Sequence, residues 1–326
     1  MGVSENDRLV PAATTEFRLW VDDPAGFTTH RVGRLHHNYH EHPLFQMTAL
    51  EALARELAPL KQCRFVRPGI TQASGFAHDS QPPDGRSLEE VFRRIEEPGS
   101  WIALYNVEAI PRYRALLNSI LDNVRATVER EQPDIFMVTG FIFISAPPSV
   151  TPFHIDRENN FWLQLRGRKV MNVWDHSDRV VVPADAVEDF IVAHSLRKVR
   201  LKDEFRARSH EFETRAGDGV YFPSTSPHMT RSDPDWTAPG DRVAISIGVN
   251  FYTSVTRKAA RVHQFNRVLR KMGMSPASPG MSPTVDSFKA PIGRLIGAAR
   301  SSLARMVAPV RRIRRERAAK APPGSY

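Results

Sequence analysis

The segment from Thr151 to Lys169 constrains the fold more than any other, because its second half alternates between two kinds of side chain. One face of an extended strand would carry Asn160, Trp162 and Gln164, and the other would carry Phe161, Leu163 and Leu165. Gly167 supplies a turn, after which residues 169–174 return as a second strand. The sequence therefore predicts a β-hairpin with one apolar face.

Similar short strands, separated by Gly and Pro, are predicted from Ile135 to Tyr252. They cover residues 135–145, 160–165, 169–174, 180–182, 211–215, 219–223 and 243–252, with one helix over 184–194. The last strand places small and polar residues on one face and Ile, Val and Phe on the other. A barrel that holds a ligand needs such an inner face. We predict a mainly β core over residues 135–255, built as a sandwich or barrel.

Helices flank this core in the prediction. An N-terminal α/β portion, residues 1–134, carries helices over 45–60 and 109–131, a capping box at Ser87–Glu90 and short strands at 17–21, 62–67 and 101–107. A C-terminal helix follows within 256–274, and residues 275–291 are predicted to form a linker rich in Pro, Ser and Gly. We expect the N-terminal portion to buttress the barrel.

Basic residues are concentrated at the C-terminal end of the chain. Residues 290–326 hold nine basic residues and one acid, a net charge of +8, so the rest of the chain accounts for only +1 of the total of +9. A nucleic-acid surface over the whole body is therefore not indicated, and no specific nucleic-acid motif is present. A single cysteine and the absence of a secretion signal at the start favour a cytoplasmic protein.

The tail, residues 292–326, has the pattern of a basic amphipathic helix. Its apolar residues recur at helical spacing: Ile292, Leu295, Ile296, Ala299, Leu303, Met306, Val307 and Val310. Such helices lie on anionic membranes or dock on acidic partners. Peripheral membrane association through this tail is one expectation, and a solvated or internally packed terminus is the alternative.

A candidate metal site lies at the start of the constraining segment. His154 and Asp156 are two residues apart, so an extended backbone would project both side chains from one face. An imidazole and a carboxylate are two of the three ligands in a 2-His-1-carboxylate iron site. The spacing alone is weak evidence, because 12 His and 18 Asp predict about 0.7 matches by chance. Residues 176–178 form a second His-x-Asp, in what reads as a loop.

Lys169 is a candidate for binding a carboxylate group of a ligand. The chain has 37 Arg and only 8 Lys, so a lysine at the start of this strand goes against a strong bias. A compact ammonium suits a single carboxylate that the planar guanidinium fork would crowd. The alternative is a solvated lysine at the end of a hairpin.

Together these motifs resemble the JmjC and cupin-like oxygenases that depend on iron and 2-oxoglutarate, and their asparaginyl-hydroxylase-like branch in particular. The matching residues are Thr151–Asp156, Asn160–Trp162, Arg166–Lys169, Gly217–Pro223, His228 and Val249–Phe251. The resemblance covers about residues 140 to 255. It departs just before His228, where the family commonly has an aromatic residue and this chain has Ser224–Pro227.

The resemblance implies a double-stranded β-helix, or jelly roll, with the metal inside one mouth. It implies Fe(II) on His154, Asp156 and His228, with O2 taking an open position. It also places the distal carboxylate of 2-oxoglutarate on Lys169 and Thr151, and Asn160 and Asn250 near its metal end. Tyr105 is a weaker candidate for contact with the cosubstrate. In the family a helix after the barrel often supports a homodimer.

The expected function is a dioxygenase that couples decarboxylation of 2-oxoglutarate to oxidation of a C–H bond in a peptide, an amino acid or a small metabolite. One alternative is a cupin-like, metal-binding regulator or adaptor that has lost turnover. Another is a membrane-recruited protein that acts through its tail.

Overall fold

Two antiparallel β-sheets enclose a cavity, and helices pack around them. The computed structural model describes residues 16–66, 69–75, 79–82 and 84–320, without the side chains of 304 and 306–320. The other parts of the predicted N-terminal portion and tail, residues 1–15 and 321–326, lie outside the described chain.

The larger sheet has eight strands. In spatial order they are β1 (Leu19–Trp20), β2 (Gly33–His37), β10 (Asp218–Phe222), β7 (Asn159–Arg166), β12 (Ala244–Tyr252), β5 (Phe136–Ser145), β4 (Trp101–Leu104) and β3 (Cys63–Phe65). The smaller sheet has four, ordered β6 (Ser149–His154), β11 (His228–Ser232), β8 (Lys169–Val173) and β9 (His210–Thr214). The mainly β class with flanking helices, and a jelly roll, are therefore confirmed. The predicted hairpin is wrong, because β7 and β8 pair with strands of different sheets.

The predicted alternation decides which face of the larger sheet is apolar. From β7 and β12 the core takes Phe161, Leu163, Leu165, Ile245, Ile247, Val249 and Phe251, all buried. Helices α1 (Met47–Leu57), α2 (Leu88–Arg93), α3 (Pro111–Asp122) and α4 (Arg125–Glu131) contribute to the same core. Burial of these side chains is the main stabilising contribution on this side of the sheet. The opposite face of β7 and β12 is thereby left for the cavity.

The helix predicted over 109–131 is two helices, α3 and α4, with a break at Asn123. The Asn123 amide nitrogen donates to the hydroxyl of Tyr39 at 2.9 Å and to the carbonyl of Ser119 at 2.8 Å. Its carbonyl oxygen accepts from the backbone N–H of Leu19 at 3.3 Å. These contacts with distant parts of the chain compensate for the lost helical continuity.

A strand predicted at 180–182 is a turn. Asp178 Oδ1 accepts hydrogen bonds from the N–H groups of Val180 at 3.0 Å and Val181 at 3.4 Å. An aspartate that bonds the backbone two residues on favours a turn over a strand. Conversely β11, which begins at His228, was not predicted as a strand.

Three helices follow the turn and the barrel: α5 (Ala184–Ala193), α6 (Ser254–Lys271) and α7 (Pro283–Lys320). The predicted linker over 275–291 is therefore wrong in its second half, because α7 begins at Pro283. Proline at the first helical position has no N–H to leave unpaired. The Asp286 carboxylate also holds the preceding turn by accepting from the Gly280 N–H at 2.7 Å.

Within the described residues, no helix has both the length and the apolar character needed to cross a membrane.

Candidate metal centre and its cavity

Strands β6 and β11 bring the two histidines of the predicted triad together. His154, the last residue of β6, lies directly opposite His228, the first residue of β11. The imidazole ring centroids are 4.0 Å apart, and both side chains are buried. Because the pairing is antiparallel, residues 74 positions apart in sequence face one point.

Asp156 completes the group. Its Oδ2 lies 3.5 Å from Nε2 of His228 and 3.9 Å from Nε2 of His154. One ligand atom from each of the three residues lies within 4.8 Å of the other two, and this is the one such group of three within the described residues. Two imidazoles and one carboxylate at this separation fit the donor set of a divalent iron site.

Hydrogen bonds behind the rings orient both imidazoles. His154 Nδ1 lies 2.7 Å from the carbonyl of Pro152, and His228 Nδ1 lies 3.0 Å from the carbonyl of Ser226. A carbonyl only accepts, so each Nδ1 carries the proton and donates. Nε2 is then the atom that each ring can offer to a metal ion, and both Nε2 atoms face Asp156.

The carboxylate of Asp156 remains ionised at neutral pH. Burial opposes ionisation, but the hydrogen bond with His228 and the attraction of the His154 and His228 rings in their charged form outweigh it, and together they lower the pKa of Asp156. The backbone carbonyl of Asp156 accepts from the N–H of Thr225 at 2.8 Å, which ties the segment before His228 to the first ligand pair.

A cavity extends from the triad into the space between the sheets. Its polar wall carries Thr151, Asn160, Lys169, Thr230 and Ser246. Thr151 and Thr230 are cross-strand partners on β6 and β11, the same two strands that pair His154 with His228. One wall of the cavity is therefore polar, and it carries both the metal ligands and Lys169.

Lys169 lies inside the cavity wall with 2% of its surface exposed. Within the described residues, no carboxylate lies within ion-pair distance of its ammonium. Burial lowers the pKa of Lys169 from 10.5 to about 8, so the charged form still predominates at pH 7. A buried cation without an anion is costly, and an anionic ligand would remove that cost.

Three further side chains lining the cavity have polar atoms without a hydrogen-bond partner in the described structure: Asn160 Oδ1, Thr230 Oγ1 and Ser246 Oγ. Native proteins rarely leave buried polar atoms unsatisfied. The concentration of such atoms around one buried ammonium indicates a site for a polar, negatively charged ligand.

Tyr105 and Asn250, two predicted cosubstrate residues, are adjacent to residues that line the cavity. Tyr105 packs against Phe141, with ring centroids 4.5 Å apart, and Phe141 itself lines the cavity. Asn250 is buried on β12 opposite Asn160, and its amide nitrogen is 3.5 Å from the carbonyl of Gly248. The placement of Tyr105 in direct contact with the cosubstrate is therefore not supported by the cavity lining.

The second His-x-Asp motif forms no such site. The ring of His176 lies 3.5 Å from Asp175, and Asp178 caps the following turn and pairs with Arg208. The two motifs differ in structure because only the first ends a strand that faces the cavity.

Sequence reasoning missed part of the wall. Thr230 lies two residues after His228, so it would have been found had β11 been predicted. The apolar part of the wall consists of Phe141, Phe143, Trp162 and Met171. Phe141 and Phe143 alternate on β5, but a phenylalanine facing a cavity and one facing a core give the same pattern.

Comparison with known proteins gives one family and several solved structures. Residues 121–255 match the JmjC domain family, and no curated protein matches the chain. YcfD, a ribosomal oxygenase from Escherichia coli, in complex with cobalt and 2-oxoglutarate, is 17% identical with a TM-score of 0.43, over 82% of this chain and 62% of that one. The complex of YcfD with cobalt and succinic acid is 15% identical with a TM-score of 0.34, over 74% and 57%. This chain thus spans less than two thirds of the length of YcfD.

Proposed function

The chain carries a JmjC domain over residues 121–255, and from this we propose that it is an Fe(II)- and 2-oxoglutarate-dependent dioxygenase. Its substrate in this proposal is a peptide, an amino acid or a small metabolite that becomes hydroxylated. One observation carries the proposal: a 2-His-1-carboxylate group and a buried, unpaired ammonium line the same cavity.

His154, Asp156 and His228 would hold the iron. Three protein ligands leave other coordination positions open for a cosubstrate and dioxygen. When bound, the iron with 2-oxoglutarate and O2 supplies the oxidising chemistry, and the protein supplies binding and orientation. The two backbone carbonyls behind the rings would hold both imidazoles with Nε2 toward the ion.

Lys169 would bind the distal carboxylate of 2-oxoglutarate. Its ammonium is the one cationic group among the residues that line the cavity, apart from the metal-ligand histidines. The hydroxyl of Thr151, on the same wall, can donate a second hydrogen bond to the same carboxylate. Asn160, with Asn250 behind it, lies toward the metal end of the molecule in this arrangement.

The cavity also excludes water from the reacting end. Phe141, Phe143, Trp162 and Met171 cover the sides of the space that the polar groups leave open. Apolar walls strengthen electrostatic contacts inside a site and prevent side reactions with water. The unsatisfied oxygen of Asn160 and the hydroxyl of Ser246 remain available to orient the cosubstrate.

Turnover and calorimetry together test the proposal. We expect succinate release from 2-oxoglutarate that requires Fe(II) and oxygen and that His154→Ala abolishes. The matched control is His176→Ala, which alters the second His-x-Asp motif and should leave release unchanged. Binding of 2-oxoglutarate without succinate release, across peptide and amino-acid substrates, would instead support a metal-binding regulator. Absence of 2-oxoglutarate binding in the presence of Mn(II) contradicts both.

A further inference from the structure

Helix α7 packs on α6 through one narrow face. Gly293 lies so close to α6 that an added Cβ would be 1.8 Å from the backbone carbonyl oxygen of Arg261. One turn later, a Cβ on Gly297 would lie 2.2 Å from the side chain of Gln264. Asp286 and Ala290 are buried on the same side. Small residues four apart thus let the two helices approach closely.

The outward face of α7 carries large apolar side chains in solvent. Phe288 is 68% exposed, Leu295 70% and Leu303 58%. At 100° per residue these three fall within an arc of about 80°, and Phe288 and Leu295 point away from Gly293. In the sequence the same spacing continues through Met306, Val310 and Ile313. The helix therefore has one face for α6 and a second, apolar face without a described partner.

The positive charge of α7 indicates which kind of partner its second, apolar face can bind. Arg294, Arg300 and Arg305 are exposed on the described part of the helix. Residues 290–326 carry a net charge of +8, against +1 for the rest of the chain. Pairing with a second copy would bring two such helices together and is opposed by their repulsion. An apolar stripe flanked by arginines is instead complementary to an anionic lipid surface.

We propose that α7 binds peripherally to the surface of an anionic membrane, with its apolar stripe at the level of the headgroups. Because the stripe and the α6-facing glycines lie on different sides of the helix, α7 can bind lipid while it stays packed on the body. No rearrangement of the catalytic core is needed.

Vesicle flotation of the full chain tests the proposal. The probes are vesicles of phosphatidylcholine alone and vesicles of phosphatidylcholine with phosphatidylglycerol. We expect recovery with the anionic vesicles to be about tenfold higher and to fall as salt is raised. The double variant Leu295→Gln, Leu303→Gln should lose about tenfold in partitioning. Both leucines are exposed, so the fold should be unaffected.

A matched control separates the stripe from exposed apolar surface in general. Val180 is 62% exposed in a turn away from α7, and Val180→Gln should partition like the unmodified protein. Equal recovery with both vesicle types overturns the proposal, and so does unchanged recovery of the double variant. A dimer that depends on Leu295 and Leu303, without vesicle binding, would assign the stripe to a second copy and also overturn it.

Discussion

The side-chain carbonyl of Asn159 accepts a hydrogen bond from the backbone N–H of Ser224 at 2.9 Å, at the start of the segment that leads into His228. Asn159 in turn donates to Oε1 of Gln132 at 2.9 Å. The hydroxyl of Thr253, the N-cap of α6, donates to the same oxygen at 3.1 Å. Two buried amides, Asn159 and Gln132, therefore connect the segment before His228 to the first turn of the C-terminal helices.

Asn159→Ala should weaken metal binding without removing a ligand. The segment before His228 would lose its anchor, and loss of such supporting contacts typically costs 10–100-fold in metal affinity. Titration with Co(II), followed by absorbance, measures this directly. Asn266→Ala is the matched control, because Asn266 is equally buried and bonds the carbonyl of Ala277 at 2.8 Å in the α6 region. An equal loss of Co(II) affinity in both variants would contradict a positioning role for Asn159.

Lys169→Met should separate ligand binding from stability. The variant removes the one ammonium in the cavity, so addition of 2-oxoglutarate with Mn(II) should no longer raise the melting temperature. Without ligand the variant should be more stable than the unmodified protein by about 2–4 kcal/mol at pH 7, because a buried, unpaired charge is gone. Thermal scans with and without 2-oxoglutarate measure both effects. A variant that still responds to 2-oxoglutarate would show that Lys169 does not hold it.

Lys169 also predicts the direction in which the free energy of unfolding changes with pH. Burial lowers the pKa of Lys169 to about 8 in the folded protein, against 10.5 as its ordinary value. Between these two values the unfolded chain binds more protons, so the free energy of unfolding should rise with pH in that window. Urea titrations of the ligand-free protein at pH 7.5 to 10.5, compared with Lys169→Met, isolate this contribution. A difference between the two proteins that is constant across the window would refute it.

Gly248→Ala should impair cosubstrate binding with little change in folding. An added Cβ would lie 3.2 Å from both amide atoms of Asn160 and 3.5 Å from Nδ2 of Asn250, so the Asn160 side chain must shift. We expect about a threefold to tenfold loss of 2-oxoglutarate affinity, from a displacement of a few tenths of an ångström. Calorimetry measures the loss. Gly240→Ala, where no atom lies within 4 Å, is the control and should bind normally.

Gly293→Ala should destabilise the packing of α7 on α6, whereas Gly297→Ala should not. At Gly293 the new Cβ would collide with a backbone carbonyl, which cannot move aside, so α7 should detach from α6. At Gly297 the obstacle is the flexible end of Gln264, and the gain in helix propensity of about 1 kcal/mol can offset the adjustment. Hydrogen exchange across residues 283–303 would report the difference. Equal protection in the two variants would exclude close packing at Gly293.

The strand faces and the first two metal ligands could be predicted because they depend on local spacing, whereas His228 was assigned through the family resemblance. Period-two alternation fixed the faces of β7 and β12, and a two-residue spacing on an extended backbone put His154 and Asp156 on one side. The predicted JmjC and cupin-like resemblance is confirmed by the family match. For the strand faces and for His154 and Asp156 the information lies within about ten consecutive residues.

The remaining features depend on contacts between distant residues. The break at Asn123 requires Leu19 and Tyr39, and the anchor of the His228 segment joins residues 65 positions apart. Neither partner can be identified from sequence spacing. Tyr105 packs against Phe141, which lines the cavity, and its contact with the cosubstrate stays a prediction.

The pairing of His154 with His228 ties the metal centre to strand register. A slip of one residue between β6 and β11 would turn one imidazole to the far side of the sheet, where it could bind nothing in the cavity. Only chains with this register between β6 and β11 can therefore bind the ion. Metal binding would then stabilise the correctly paired small sheet. The ion would therefore select the correct strand pairing of the barrel, in addition to its part in the reaction.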